Sequence, residues 1–310
     1  MLLALLLYIL LVNDKPKYPE QPIKQDSILQ TEDQIDLGST TIDNQGEYLL
    51  WQISNQVKLE AVQNMIASLG SEFKLEDSQD GVFYKWTYED DQFFYDITKN
   101  HILFQYTEGI QFDSVELTDT TFSTFVNKYF KENWKYKVFK NEKGTNGETI
   151  YYAKRILSED IYVESREHNQ QTDYLALKDG KIVYGKILLT KFTPTDIQLP
   201  LISQEQLNKY LNLKEYPKEI YPQYSALEDS LLSQIDYLSE EFEELAQTLA
   251  NCKSTSSEVV YLYKSFDQEL LTPVYKLEAQ CELTYEEKQY SVPAIAYVNA
   301  IDPEYVYIPE

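Results

Sequence analysis

PVYKLEAQCEL, residues 273–283, alternates strictly: Tyr275, Leu277, Ala279 and Cys281 fall on one face, and Lys276, Glu278 and Gln280 on the other. A period of two is the pattern of a strand with one side in a core and the other toward water. EVVYLYK (258–264) lies upstream and YSVPAIAYVNAI (290–301) downstream, both rich in β-branched and aromatic residues, so three closing strands are predicted. Their core face needs a cover. Ser225 and Glu228 form a capping box, and Leu227, Leu231, Ile235, Leu238, Phe242, Leu245 and Leu249 keep to one helical face with acids opposite. This periodicity predicts a long helix ending at Cys252; a break at Ser239, itself a competent N-cap, is the alternative.

Working outward, the same succession of a helix and then strands recurs twice more. EYLLWQI is a short strand, followed by Ser54 or Asn55 as N-cap, a helix with Leu59, Val62, Ile66 and Leu69 on one face, and Gly70 as its stop. Strands VFYKWTY (82–88), FFYDI (93–97) and ILFQY (102–106) come next. Thr118 or Asp119 then caps a helix carrying Phe122, Phe125, Val126, Tyr129 and Phe130. Its sheet comes from KYKVFK (135–140), ETIYYAKRI (148–156), DIYVES (160–165), DYLALK (173–178) and KIVYGKILLTKF (181–192), with Asn146-Gly147 and Asp179-Gly180 as hairpin dipeptides. Pro194 and Pro200 bracket a break, and Ser203 with Gln206 caps a short helix bearing Leu207, Tyr210 and Leu211.

The predicted fold is therefore α+β: tandem units of one helix packed on an antiparallel β-sheet, preceded by a short N-terminal apolar helix. The divisions are an apolar anchor or signal remnant (1–12), a polar linker (13–46), and αβ units at 47–113, 114–200 and 201–310.

The leader MLLALLLYILLV is unbroken apolar sequence, and the tract from Asn13 to about Gly46 has no helical or strand period. Twelve helical residues reach about 18 Å against a hydrocarbon core of about 30 Å. No Lys or Arg precedes the apolar run and no small-x-small cleavage site follows it. Three readings stand: an uncleaved anchor whose start lies upstream, a signal-peptide remnant, and an apolar tail docked on the folded body. The remaining composition is that of a soluble body. Lys plus Arg number 27 against 51 for Asp plus Glu, a formal charge of −24, which repels nucleic acid and anionic membrane surfaces alike. At 310 residues and 43% hydrophobic content the chain has material for two or three domains, and its 27 tyrosines suit half-buried strand faces.

No arrangement of residues specifies a reaction. His101 heads an aromatic strand and His168 sits in the polar stretch REHNQQ, far apart and in no metal-binding spacing. GxSxG, Walker-type and dinucleotide glycine patterns and CxxC are all missing. Glu89-Asp90-Asp91 reads as a hairpin turn, since it lacks the alternating oxygen ligands and central glycine of a calcium loop. No catalytic, cofactor-binding or metal-binding residue is assigned. The two cysteines carry more. Period two puts Cys281 on the buried side of its strand, and a hairpin pairing 260–264 with 273–277 brings the chain before Val259 close to residue 281. A Cys252–Cys281 disulfide is predicted if the body is exported; two buried thiols in a reducing compartment are the alternative.

LLTPVYKLEAQ, then YSVPAIAYVNAIDPEYV, resembles the closing strands of the extracytoplasmic YycH/YycI-type proteins and their PepSY-like relatives, and IDYLSEEFEELAQTLANCK is similar to the Ser-capped helix that leads into them. The likeness covers about the last 75 residues. It implies a single-pass, N-terminally anchored protein with α+β domains outside the membrane, and in that family such proteins bind and restrain a membrane sensor histidine kinase. The expectation is a non-enzymatic, membrane-anchored extracytoplasmic regulatory or interaction protein with a membrane or envelope partner and no cofactor. The alternatives are an envelope glycan-binding module or glycoside hydrolase using surface aromatics and acids, and a secreted PepSY-like inhibitor or adhesin.

Overall fold

The computed structural model describes residues 23–24, 35–42, 47–55, 59–68, 73–79, 82–98, 100–112, 114–130, 132–158, 161–165, 173–211, 218–223, 249–264, 268–285, 288–302 and 304–307. The leader 1–12, His168 and the helix predicted from Ser225 to residue 248 lie outside the described residues.

The expected α+β class is corrected: the described chain is mostly strand, with one mixed sheet of 14 strands and three helices among the described residues. The helices are α1 (Leu59–Ala67), α2 (Asp119–Phe130) and α3 (Gln204–Leu211). Nor is the sheet purely antiparallel. Val163 to Ser165 pair in parallel with Tyr261 to Tyr263, and Ile35 and Asp36 in parallel with Cys252 and Lys253. Parallel neighbours are joined through long stretches of chain, so no turn signal in the sequence marks them. Among the described residues no helix is long and apolar enough to cross a membrane.

The chain groups into two units interleaved in sequence: 51–193 with 261–271, and the described residues up to 50 with 194–260 and 272–310. The first of these is built on a meander. Strands Lys74–Gln79, Phe83–Tyr88, Asp91–Asp96, His101–Gln111, Lys181–Leu188, Asp173–Lys178, Thr149–Ser158 and Lys135–Lys143 are neighbours in that order, every pair antiparallel. The Asp179-Gly180 turn has φ of 50° and 74°, and Lys178 pairs with Lys181, so this is the two-residue hairpin that needs positive φ at both positions. Thr118 caps α2, its Oγ1 accepting from Thr121 N at 3.3 Å. Val62, Met65 and Ile66 of α1 and Phe122, Phe125 and Val126 of α2 share one core with Trp86, Phe93, Ile102, Phe104, Leu175 and Ile187 of the sheet. One face of the meander is thus covered by helices.

In the second unit, Lys218–Pro222, Lys288–Asn299, Pro273–Tyr285 and the 249–260 part of the strand Leu249–Tyr263 are neighbours in that order. Tyr275, Leu277, Ala279, Cys281 and Leu283 point into a core with Val292, Ala294, Ala296 and Val298, as the alternation requires, and Leu207 and Leu211 of α3 join them. The Ser203 box caps α3 in both directions: Gln206 N donates to Ser203 Oγ at 3.1 Å and Ser203 N donates to Gln206 Oε1 at 2.7 Å. Three local readings change. Leu249 to Cys252 are the start of a strand and not a helix end, in keeping with the Ser/Thr/Val-rich NCKSTSSEVV that continues it. Ile35, Leu37 and Ile42, at the end of the stretch expected to be linker, are buried in this core. The stretch bracketed by Pro194 and Pro200 is itself a strand, Lys191–Pro200, at the edge of a three-stranded sheet, where a residue without an N–H is tolerated.

Candidate functional site

Cys252 and Cys281 are joined by a disulfide, with Cα atoms 4.0 Å apart and each residue 1% exposed. Cross-strand contacts run in opposite order along the two strands: Asn251 Nδ2 donates to Glu282, Thr255 Oγ1 to the Glu278 carbonyl and Lys276 Nζ to Glu258. The pairing that links the cysteines is therefore a direct cross-strand one, with Leu249 to Cys252 in a strand where the end of a helix was expected.

The densest group of polar side chains lies inside the meander unit, centred on Arg155. ETIYYAKRI places Tyr151, Ala153 and Arg155 on its core-facing phase, so the sequence turns a guanidinium inward. Arg155 is 5% exposed. Its Nη1 donates to Thr190 O at 2.5 Å, its Nη2 donates to Leu188 O and to Tyr136 Oη at 3.2 Å, and Nη2 stands 3.7 Å from Asp173 Oδ2. The guanidinium carbon lies 3.8 Å from the centre of the Trp134 ring. Asp173 Oδ1 in turn accepts from Leu188 N at 2.7 Å. A planar, permanently charged fork suits such a joint, because it bonds several acceptors at once while stacking on an aromatic face. Beside it, Asn100 accepts from Tyr95 Oη at 2.9 Å and donates to Thr190 Oγ1 at 3.1 Å, while Thr190 Oγ1 and Tyr263 Oη donate to Asn55 Oδ1 at 2.7 and 3.2 Å. Burial raises the Asp173 carboxyl against the pull of Arg155, and burial holds the Tyr136 phenol well above its usual range. These groups are enclosed and bonded to one another. They hold strands together.

His101 is also buried, facing Asp96 and Leu188 in register at the head of its strand. Glu89 and Asp90 form the tight turn expected of them, with φ of 52° at Glu89, and Asp91 Oδ1 accepts from Thr107 N at 2.6 Å. Among the described residues no group of His, Cys, Asp and Glu is arranged to hold a metal ion.

The opposite face of the meander, the one α1 and α2 leave uncovered, is aromatic. Tyr152, Tyr174 and Tyr184 lie on three neighbouring strands with ring centres 5.9 and 6.3 Å apart. Tyr152 Oη donates to Glu142 at 2.5 Å and Tyr184 Oη to Glu148 at 2.9 Å, which fixes two of the rings. Lys154, paired with Glu164, has its Nζ 4.7 Å from the Phe139 ring centre and 5.3 Å from that of Tyr162. The three tyrosine rings are inclined at 55° and 76° to one another, so they make no flat platform for a sugar chain. Sequence reasoning identified aromatic strand faces in general but not this group, because which of two alternating faces stays open depends on where the helices pack.

The tyrosines carry a pH prediction. Tyr95 is pushed up to about 12 by burial, and Tyr152 and Tyr184 are raised by burial and then by their carboxylate partners. A phenol whose proton the fold retains does so past the pH, near 10, at which the unfolded chain releases its own. The stability involved is therefore full below about pH 10 and falls as pH rises toward the folded values. Alkaline titration followed at 295 nm should show a late, cooperative ionisation coinciding with loss of far-ultraviolet circular dichroism. Independent titration of all tyrosines near pH 10 with the fold intact would refute it.

No family model matches the chain, and no curated protein matches it. A solved structure of an uncharacterized protein from Eubacterium rectale is similar, with a TM-score of 0.47 and 9% identity over 89% of this chain and 90% of that one. Likeness at that level carries no argument about function.

Proposed function

We propose that this chain is an exported, non-enzymatic interaction protein whose folded body works outside the cytoplasm and whose partner is a membrane or envelope protein. The observation that carries the reading is the buried Cys252–Cys281 disulfide, because such links form and persist in oxidising compartments. It agrees with an apolar leader at the N-terminus, and the resemblance to YycH/YycI-type proteins supplies the expectation of a membrane-bound partner, a sensor kinase among them. The half-buried aromatic face favours binding over catalysis: its polar atoms are engaged in fixing rings, while the charged groups of the interior are enclosed. Attachment through residues 1–12 belongs to the same proposal. The test takes the protein from the cells that make it, blocks free thiols at lysis and measures intact mass before and after reduction, with crosslinking of the membrane fraction in parallel. The expected result is no free thiol and a crosslinked membrane or envelope protein. Two free thiols in a cytosolic protein would overturn the proposal.

A further inference from the structure

The strand Lys135–Lys143 ends the meander: it pairs with Thr149–Ser158 on one side, and among the described residues no strand pairs on the other. Its outer side falls into two parts. Over the first, α2 satisfies the outward backbone, Tyr136 N donating to Ser123 Oγ at 3.0 Å and Val138 N to Asp119 Oδ1 at 2.8 Å. The register then shifts between Val138 and Lys140, which are opposite Ala153 and Tyr152. Past that bulge, Lys140 and Glu142 face the neighbouring strand, and the alternation of an antiparallel ladder turns the N–H and C=O of Asn141 and Lys143 outward. Phe139, Lys140, Asn141 and Lys143 are exposed, Phe139 at 48%. This is an open sheet edge beside the aromatic face.

The charge on it is opposite to that of the molecule. The chain carries a formal −24, yet this strand has Lys135, Lys137, Lys140 and Lys143 against Glu142; Lys137 pairs with Asp119 of α2 at 3.0 Å, and Lys143 donates to the neutral Thr149 Oγ1 at 2.7 Å, so the part past the bulge keeps a net positive charge. The ion pair of Lys140 with Glu142 at 2.8 Å is exposed, so it restrains Lys140 only weakly. Lysines on an edge repel another basic strand and so guard against indiscriminate pairing, but they favour one that is acidic.

We infer that the 139–143 edge accepts an extended acidic segment of a protein partner as an added strand. The partner's backbone bonds Asn141 and Lys143, its carboxylates lie beside the lysines, and apolar side chains on the same strand reach Phe139. The inference rests on the interaction-protein reading above and names the surface and the partner's chemistry.

The probe is a fluorescently labelled short peptide alternating Glu with Val, added to the full, oxidised chain and followed by anisotropy. Controls are the same peptide with Pro at alternate positions and one with Lys in place of Glu. Binding of the acidic peptide alone is expected, weakening as salt is raised. Asn141→Pro removes an outward donor that the native pairing does not use, so it should preserve the circular dichroism spectrum and abolish binding. K140E with K143E should weaken binding by about tenfold, roughly 1.4 kcal/mol. Absence of binding by the acidic peptide, or equal binding by the Asn141→Pro protein, overturns the inference; if an envelope protein still crosslinks in that case, the broader reading stands without it. A wild-type dimer in sedimentation velocity that Asn141→Pro dissociates overturns it too, assigning the edge to a second copy.

Discussion

Arg155→Met is expected to lower the unfolding free energy by about 3–5 kcal/mol, the range for removing one partner of a buried ion pair. Three consequences add up at one position. The Asp173 carboxyl, already raised by burial, loses the positive charge that counters that burial. The carbonyls of Thr190 and Leu188 lose their guanidinium donors at buried positions, where an unmade hydrogen bond costs more than a made one contributes. Trp134 loses the plate stacked 3.8 Å from its ring centre. Arg155→Lys should rescue little, because one ammonium cannot reproduce the fork. Adding Asp173→Leu to Arg155→Met should recover much of the loss by removing the stranded charge as well. Urea denaturation of the four proteins reads this directly; a loss under about 1 kcal/mol for Arg155→Met would show that the network is dispensable.

The second large effect is at the disulfide. Replacing both cysteines by valine keeps the buried strand positions filled and removes only the cross-link. For a sequence separation of 29 residues, the chain-entropy relation gives a loss of about 3.6 kcal/mol. Reduction of the wild-type protein should lower the denaturation midpoint about as much. Cys281→Ala alone should cost more than the valine pair, since it adds a cavity in a core shared with Leu277, Val292 and Ala294. Unchanged midpoints in the valine pair and in the reduced protein would mean that the pairing of these strands owes nothing to the link.

Much of the local structure was legible. The alternation of residues 277–283, the Ser203–Gln206 box, the Thr118 cap and the Asp179-Gly180 turn all follow from short-range chemistry and have their expected geometry, whereas Lys276, expected to face water, is 7% exposed and paired with Glu258. The Cys252–Cys281 pair was expected from the buried phase of one strand, but the helix end and the hairpin register used to reach it are replaced by a strand whose contacts run 251 with 282 and 255 with 278. Arg155 was not singled out, although it is the lone cation on the inward phase of ETIYYAKRI; its partners Asp173, Leu188 and Thr190 lie on chain segments that nothing local connects to it.

By itself the sequence determined a strongly acidic chain with an apolar leader, many of its strands, the inward face of residues 277–283, and the turn and caps at Asp179-Gly180, Thr118 and Ser203. Those features depend on side-chain period and on a few residues of backbone geometry. Only the tertiary structure decided that the units are interleaved, that 161–165 and 35–36 find parallel partners more than ninety residues away in sequence, that Leu249 to Cys252 extend a strand, which sheet face the helices cover, and which edge is unpaired among the described residues. The physical reason is that a strand's own residues specify alternation but not the neighbour. The neighbour is chosen by distant segments competing to bury the same apolar face and to complete the same row of backbone hydrogen bonds.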